Sequence, residues 1–267
     1  MNRINSRRVA AGAAALALLA GGGVLAGCGS DSSSTGAATT AAADASSLPA
    51  NGVENLSAQE ILDTSLKAAN AASSVTVSGA ITQEGEEVKL DLELGTNAAQ
   101  GTFSAQGINA EIRVVDGKSY FKLSGEDFAR IAGQGDNAEV AQAVSALLGD
   151  KWIAVPEGSG DDDLAGLGQF GQKDDLLKGI LEADGQVTVK GTGEVNGIPV
   201  VLLDSSDGTG TLAIQTVGEP YPIQIKGADS SSSGEVNFTN WNEPVNVTAP
   251  TDVVDLSALA NLGGSSN

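Results

Sequence analysis

The chain has no histidine and only one cysteine, and both scarcities limit its chemistry. Without histidine it cannot build a Ser-His-Asp triad, a Cys-His nucleophile or a zinc site with imidazole ligands. It also has no glycine-rich phosphate-binding loop, no nucleophile elbow and no recognisable pair of catalytic carboxylates. We therefore expect a protein that is not an enzyme and that uses no cofactor and no metal.

Positive charge and aromatic rings are scarce as well. The 267 residues include 14 Lys and Arg against 34 Asp and Glu, a formal net charge of −20, and only 3% of them are aromatic. Such an acidic protein repels nucleic acid and anionic lipid surfaces, so we expect no nucleic-acid partner. The run Asp161 to Asp163 lacks the alternating oxygen ligands of a calcium loop, and we expect it to be a solvated charge run.

The first thirty residues have the pattern of an export signal. Arg3, Arg7 and Arg8 precede an apolar stretch from Val9 to Gly27 that contains no acidic residue. A basic segment, an apolar segment and small residues at a processing site are typical of a bacterial secretory signal. A single spanning helix is the alternative, but this stretch is rich in Ala and Gly and barely long enough to span. Both the general and the twin-arginine export routes stay open.

The residues Leu25-Ala26-Gly27-Cys28 end this stretch and resemble the lipobox of bacterial lipoproteins. The resemblance implies that residues 1–27 are a signal peptide and that a diacylglyceryl group is attached to the sulfur of Cys28. Cleavage before Cys28 would make it the first mature residue. The protein would then be extracytoplasmic and anchored to the outer leaflet of the cell membrane. Two acyl chains hold a protein at a membrane far better than one.

The remainder divides by composition. Residues 28–54 are mostly Ser, Thr, Ala, Gly and Asp, with too few large apolar groups to order themselves, and we expect a disordered tether. Residues 55–250 are enough for one core, and residues 251–267 are expected to be a short tail with at most one turn of helix. Ser57-Ala58-Gln59-Glu60 is a capping box that predicts a helix to about residue 72.

Strands are predicted on both sides of a helical insert. Val88, Leu90 and Leu92 alternate with charged residues, which is typical of a strand with one buried face. Asp116-Gly117 and Asn196-Gly197 predict two-residue hairpins. Three helices are predicted between about residues 124 and 183, and alternating pairs then continue to Val247. The expected fold is α+β: one strongly curved antiparallel sheet, a half-barrel of 10–11 strands, with a few helices on its concave side.

A series of short motifs follows the order of these elements along the chain. They are Leu66-Lys67-Ala68-Ala69, Ser74-Val75-Thr76-Val77-Ser78-Gly79, Val115-Asp116-Gly117-Lys118-Ser119-Tyr120, Lys151-Trp152, Gly191-Thr192-Gly193-Glu194-Val195-Asn196-Gly197, Phe238-Thr239-Asn240-Trp241, Pro244-Val245 and Pro250. In this order they resemble the LppX/LprG-type lipoproteins of actinobacteria, which are related in fold to the LolA and LolB carriers. The resemblance covers about residues 56–250 and implies a half-barrel around an apolar cavity that holds the acyl chains of lipids or glycolipids. It implies no catalytic residue.

The candidate site is the apolar strand face. Trp152 and Phe170 flank a Gly- and Asp-rich stretch and are candidates for an entrance, or else core anchors. A filled core is the alternative for every lining candidate, because protein interiors pack densely. The candidate lining residues are Val88, Leu90, Leu92, Ile112, Val114, Phe121, Val187, Val189, Leu212 and Ile214.

Two functions follow as hypotheses. The first is a membrane-anchored, surface-exposed lipoprotein that binds lipid or glycolipid acyl chains for carriage or presentation across the envelope, with an envelope transporter or export partner that the sequence does not identify. The second is a non-carrier envelope sensor or scaffold module with the same fold and a filled core.

Overall fold

Alternating apolar and polar residues form one large sheet, which a few helices cover on one side. The computed structural model describes residues 48–83, 86–131, 138–149, 151–155, 171–181, 186–206, 208–227 and 232–255. The predictions for the signal peptide, for Cys28 and for most of the tether lie outside these residues.

Within the described ranges the chain forms twelve strands and four α-helices. The helices are α1 Ala58–Ala71, α2 Gly125–Ile131, α3 Ala138–Leu148 and α4 Lys173–Leu181. The strands are β1 Ser74–Gln83, β2 Glu86–Gly95, β3 Ala98–Ala105, β4 Ile108–Val115, β5 Lys118–Leu123, β6 Trp152–Val155, β7 Val187–Val195, β8 Ile198–Ser205, β9 Gly210–Gln215, β10 Pro222–Gly227, β11 Ser232–Thr239 and β12 Val253–Asp255.

The strands form a single sheet in the order β12-β6-β5-β4-β3-β2-β1-β11-β10-β9-β8-β7. All neighbours are antiparallel except β12, which pairs parallel with β6. The predicted fold class, one curved antiparallel sheet with few helices, is therefore confirmed. The prediction for the end of the chain was wrong, because no strand is present at Val245 and Val247 and residues 253–255 form the edge strand β12.

The two hairpin predictions are confirmed. Asp116 and Gly117 have positive φ angles of 51° and 78°, and Asn196 and Gly197 have 52° and 81°. This is the geometry of a two-residue turn whose twist matches that of the strands it joins. The register pairs Ile112 with Phe121 and Glu111 with Lys122, so that apolar side chains meet on one face and opposite charges meet on the other.

Helix α1 begins at the predicted capping box. The Ser57 hydroxyl accepts a hydrogen bond from the Glu60 amide, and the Glu60 carboxylate accepts one from the Ser57 amide. Both bonds satisfy amides that the first turn of a helix leaves free. The stripe of Ile61, Leu62 and Ala69 is buried against the sheet.

Two glycines allow the sheet to curl. Gly79 and Gly101 both have a φ of 145°, which a residue with a side chain rarely adopts. A Cβ at Gly101 would overlap the carbonyl oxygen of Asp91, and one at Gly79 would overlap that of Glu235. Neighbouring backbones thus approach closely where these glycines lie, as at the bends of curled sheets.

The ordered domain starts earlier than predicted. Ala50 forms a β-bridge with Val217, and the side chain of Asn51 donates hydrogen bonds to two carbonyl oxygens, those of Gln215 and Gly218. Val53 is buried beside α1. The burial of Val53 and the hydrogen bonds of the Asn51 side chain order these residues, although their composition suggested a disordered tether.

Candidate functional site

One face of the sheet is apolar across most of its width, and we call it the inner face. The antiparallel register aligns side chains from successive strands into rows that run across the sheet. One long row crosses the sheet from β8 to β5, and a second row lies beside it. The first row is Leu203, Leu212, Ile225, Val236, Gly79, Leu90, Phe103, Ala110 and Leu123, and the second is Phe238, Val77, Leu92, Gly101, Ile112, Phe121 and Ile153.

The helices contribute their apolar residues to this face. Phe128 from α2, Val144 and Leu148 from α3, and Leu177 from α4 belong to the same buried cluster as the strand residues of β1–β6 and β11. We call this group the inner-face cluster. A second cluster joins α1 to Val201, Leu203 and Ile214 of β8 and β9. The amphipathic helices therefore cover the inner face, as expected when each must bury one stripe.

Most of the predicted lining residues lie on the inner face. Leu90, Leu92, Ile112, Val114 and Phe121 are buried in the inner-face cluster. Val88 is half-buried against that cluster, Ile214 is buried in the second cluster, and Val187 and Leu212 are half-buried against it. The sequence-based set thus forms two adjoining groups, one under α2–α4 and one under α1.

Val189 lies opposite Leu203 at the end of the first row, but it is not buried. Its side chain is 46% exposed, and it belongs to β7, the edge strand of the sheet. No further strand lies beyond it among the described residues, and the register shifts between Val189 and Gly191. The apolar alternation of Val187 and Val189 predicted a buried pair, but at an edge the second residue has nothing to pack against.

Trp152 lies on the opposite side of the sheet, which we call the outer face. Its neighbour Ile153 pairs with Phe121 on the inner face, so alternation turns Trp152 outward. The Arg113 guanidinium stacks over its ring, 4.6 Å from the centroid, in a cation–π contact. Trp152 is therefore a buried outer-face residue and not an entrance to the inner face. Phe170, the other entrance candidate, lies outside the described residues, as does Cys28.

Two grooves lie over β2–β5. The larger has a volume of about 610 Å³, and its lining combines Asp91, Thr102, Glu111 and Lys122 with the apolar Leu90, Phe103, Ala110 and Leu123. A smaller one of about 290 Å³ adjoins it and extends to Arg113 and Trp152. The largest fully buried side chains, such as Leu92, Ile112 and Phe121, are instead on the inner face. The strands thus separate a polar, solvated surface from an apolar interior.

A buried lysine ties α4 to α1. Lys173 begins α4 with only 5% of its surface exposed, and its ammonium donates to the carbonyl oxygens of Ala69 (3.2 Å) and Asn70 (3.3 Å) and to Asp174 (2.6 Å). These carbonyls end α1, where a helix has free acceptors and a partial negative charge. No sequence pattern predicted this contact between two distant segments.

An aromatic stack closes one end of the inner face. Trp241 lies 4.6 Å from Tyr221 with the rings 8° from parallel, and 6.4 Å from Phe238. It packs against the inner-face cluster. The side-chain amide of Asn242 donates to the Tyr221 hydroxyl at 2.8 Å and fixes the stack. The sequence marked Phe238 and Trp241 as a motif, but it gave no sign of their partner Tyr221.

Shifted acid groups lie away from the inner face. The Thr211 hydroxyl, and then Lys190, hold the pKa of Asp204 below its ordinary value, and the hydroxyl and amide of Ser57 do the same for the pKa of Glu60. The described part of the chain has no group of three or more His, Cys, Asp or Glu that could hold a metal ion. Within the same residues, no helix has the length and apolar character needed to cross a membrane.

Comparison with known proteins gives matches only among solved structures. No protein family matches the sequence, and no curated protein does. LprF from Mycobacterium bovis is similar with a TM-score of 0.46 and 16% identity, over 76% of this chain and 99% of that one. Lipoprotein LppX from Mycobacterium tuberculosis is similar with a TM-score of 0.41 and 18% identity, over 72% of this chain and 100% of that one.

A third similar structure is an uncharacterized conserved protein from Thermus thermophilus, with a TM-score of 0.36, 15% identity, and 74% and 98% of the two chains covered. LppX, which belongs to the lipoproteins that the sequence resembles, is thus among the similar structures.

Proposed function

We propose that this protein is a membrane-anchored lipoprotein that binds the acyl chains of lipids or glycolipids on its inner face. One observation carries the proposal: an apolar surface runs in register across the sheet, and separate helices cover it. An acyl chain on such a surface gains about 0.8 kcal/mol for each buried CH₂ group. The proposal includes the predicted anchor at Cys28, exposure at the outer leaflet, and carriage or presentation of the ligand across the envelope.

The residue types on the inner face support this proposal. Aliphatic side chains such as Leu90, Leu92 and Ile112 dominate it, and they provide contact without directional hydrogen bonds. The charged and polar side chains of β2–β5, such as Asp91, Thr102 and Glu111, lie on the outer face. A ligand on the inner face would therefore be recognised mainly through hydrocarbon.

The second candidate function is a sensor or scaffold module with the same fold and no lipid ligand. The full burial of Leu92, Ile112 and Phe121 favours it, because side chains with no exposed surface already fill their surroundings. Lipid binding requires the helices to shift by the thickness of an acyl chain, whereas a module of this second kind requires no such movement.

Lipid uptake by the purified protein decides between the two candidates. We expect native mass spectrometry to show bound lipid after incubation with phosphatidylglycerol vesicles. Leu90→Trp should reduce the bound fraction severalfold, because the larger ring fills space beside Phe103 and Ala110. Val189→Trp is the matched control and should leave uptake unchanged, since Val189 is exposed at the sheet edge.

A wild-type protein that carries no lipid and takes up none would contradict lipid binding and favour the sensor or scaffold function. Equal uptake by wild type and Leu90→Trp, with both folded by circular dichroism, would place the ligand elsewhere. The same cultures report on the anchor: Cys28→Ala should lose membrane retention, and unchanged retention would contradict lipidation of Cys28.

A further inference from the structure

Three buried side-chain polar atoms among the described residues have no hydrogen-bond partner, and one of them is Oε2 of Glu54. The other two, the indole Nε1 of Trp241 and the hydroxyl of Ser65, belong to residues that pack among apolar side chains. Ser65 is 1% exposed and lies on the stripe of α1 that also carries Ile61 and Ala69. Buried polar side-chain atoms are nearly always paired, so each such atom in a native protein needs an explanation.

The indole of Trp241 is the more informative of the two. An indole N–H can only donate, so it needs an oxygen or another acceptor. The ring is stacked on Tyr221, whose hydroxyl accepts from the side-chain amide of Asn242. The indole is thus held in the stack, and its N–H donates to no group among the described residues.

The position of the stack defines what an acceptor would have to be. Trp241 packs against the inner-face cluster, and its neighbour Phe238 begins the apolar row that continues through Val77 and Leu92. A molecule that reaches the indole and also lies along this row must have an oxygen at one end and a hydrocarbon chain at the other. Trp combines both contacts, because its ring is apolar and its N–H is polar.

We propose that Trp241 recognises the ester carbonyl of an acyl lipid, with its Nε1–H donating to the carbonyl oxygen and the acyl chain lying from Phe238 toward Leu92. This inference rests on the proposed lipid-binding function and adds to it a ligand class and an orientation. The contact then favours fatty-acyl esters over ligands of the same length that lack a carbonyl.

The test compares two probes with the same number of carbon atoms, methyl decanoate and n-undecane, on the purified full chain. Trp241→Phe should reduce the affinity for the ester relative to that for the hydrocarbon about three- to tenfold, the usual range for one hydrogen bond. The smaller Phe ring weakens the binding of both probes by the same factor. The ratio of the two affinities therefore reports the contribution of the hydrogen bond alone. Trp152→Phe, the same change on the outer face, should leave the ratio unchanged.

A second measurement does not depend on the stability of Trp241→Phe. The chain has two tryptophans, so Trp152→Phe leaves Trp241 as the only one. Methyl decanoate should shift its emission to the red, since a carbonyl accepts from the indole, and n-undecane should not. Equal shifts, or no shift with either bound probe, would overturn the proposal.

The outcomes separate the two proposals. Wild type that binds neither probe overturns both of them. A ratio of ester to hydrocarbon affinity that Trp241→Phe leaves unchanged overturns the ester contact and leaves the lipid-binding function standing. A selective loss of ester binding in Trp241→Phe supports both.

Discussion

The two halves of the sheet use alternation differently. In β2–β5 the inner face is apolar and the outer face has charged or polar side chains such as Asp91, Thr102 and Glu111. In β8–β10 the inner face is apolar too, but Val200, Ala213 and Ile223 form another buried cluster on the outer face. Alternation of apolar and polar residues thus predicts a strand with one solvated face. It does not predict a strand that is buried on both faces.

A bulge contributes to this difference. The register between β9 and β10 shifts between Pro222 and Gln224, and the extra residue there is Ile223. Ile223 therefore joins the outer cluster, whereas Ile225, two positions on, joins the inner row. In β2–β5 the pairing continues without a shift, so every second side chain stays on one face.

The largest effect is expected from Gly101 in the regular half. Gly101→Ala places a methyl group against the Asp91 carbonyl at a φ of 145°, so we expect a loss of about 3 kcal/mol or more in the free energy of unfolding. Urea titration followed by circular dichroism measures it. Gly193→Ala on β7 is the control, because its methyl would meet only Leu202 at 3.5 Å. Equal losses at the two sites would contradict the close approach.

Substitutions on the outer face should lower stability more in β8–β10 than in β2–β5. The expected difference is smaller than the loss at Gly101. Val200→Ala removes two buried methyl groups and should cost about 2 kcal/mol. Thr102→Ala, on the outer face of β3, should change stability by less than about 0.5 kcal/mol. Urea midpoints of both variants measure the difference. If Val200→Ala is as mild as Thr102→Ala, the outer cluster contributes no stability of its own.

The smallest effect concerns pH. Asp204 of β8 accepts hydrogen bonds from Thr211 (2.6 Å) and Lys190 (3.1 Å), which hold its pKa below the ordinary 3.8. A depressed folded-state pKa adds stability that is present above the unfolded-state pKa and is lost as the pH falls through the folded value. We expect Asp204→Asn to flatten the fall in stability below about pH 4.

Urea midpoints between about pH 2 and pH 6 measure this dependence. Thr211→Val is the matched variant, because it removes the contact that lowers the pKa most. Identical pH profiles for wild type and both variants would mean that the carboxylate is no better stabilised in the folded protein than in the unfolded chain. Exposure of Asp204 and Lys190 keeps the effect small, since solvent screens the pair.

Much of the candidate site could be predicted because alternation is a local property. Leu90, Leu92, Ile112 and Phe121 were assigned to one face from sequence alone, and they lie together on it. The face of Trp152 and the burial of Val189 were predicted wrongly, because both depend on distant parts of the chain. The face that Trp152 occupies follows from pairing with β5, and the exposure of Val189 follows from its place at the sheet edge.

The sequence by itself determined the capping box at Ser57, the turns at Asp116 and Asn196, and the side of each regular strand that is apolar. Each of these depends on residues a few positions apart, whose steric and hydrogen-bonding preferences act in any context. Only the tertiary structure decided which strands are edges, where Lys173 finds its carbonyl partners, and that Tyr221 stacks on Trp241. Those contacts join segments far apart in the chain, and they form only once the sheet brings its strands together.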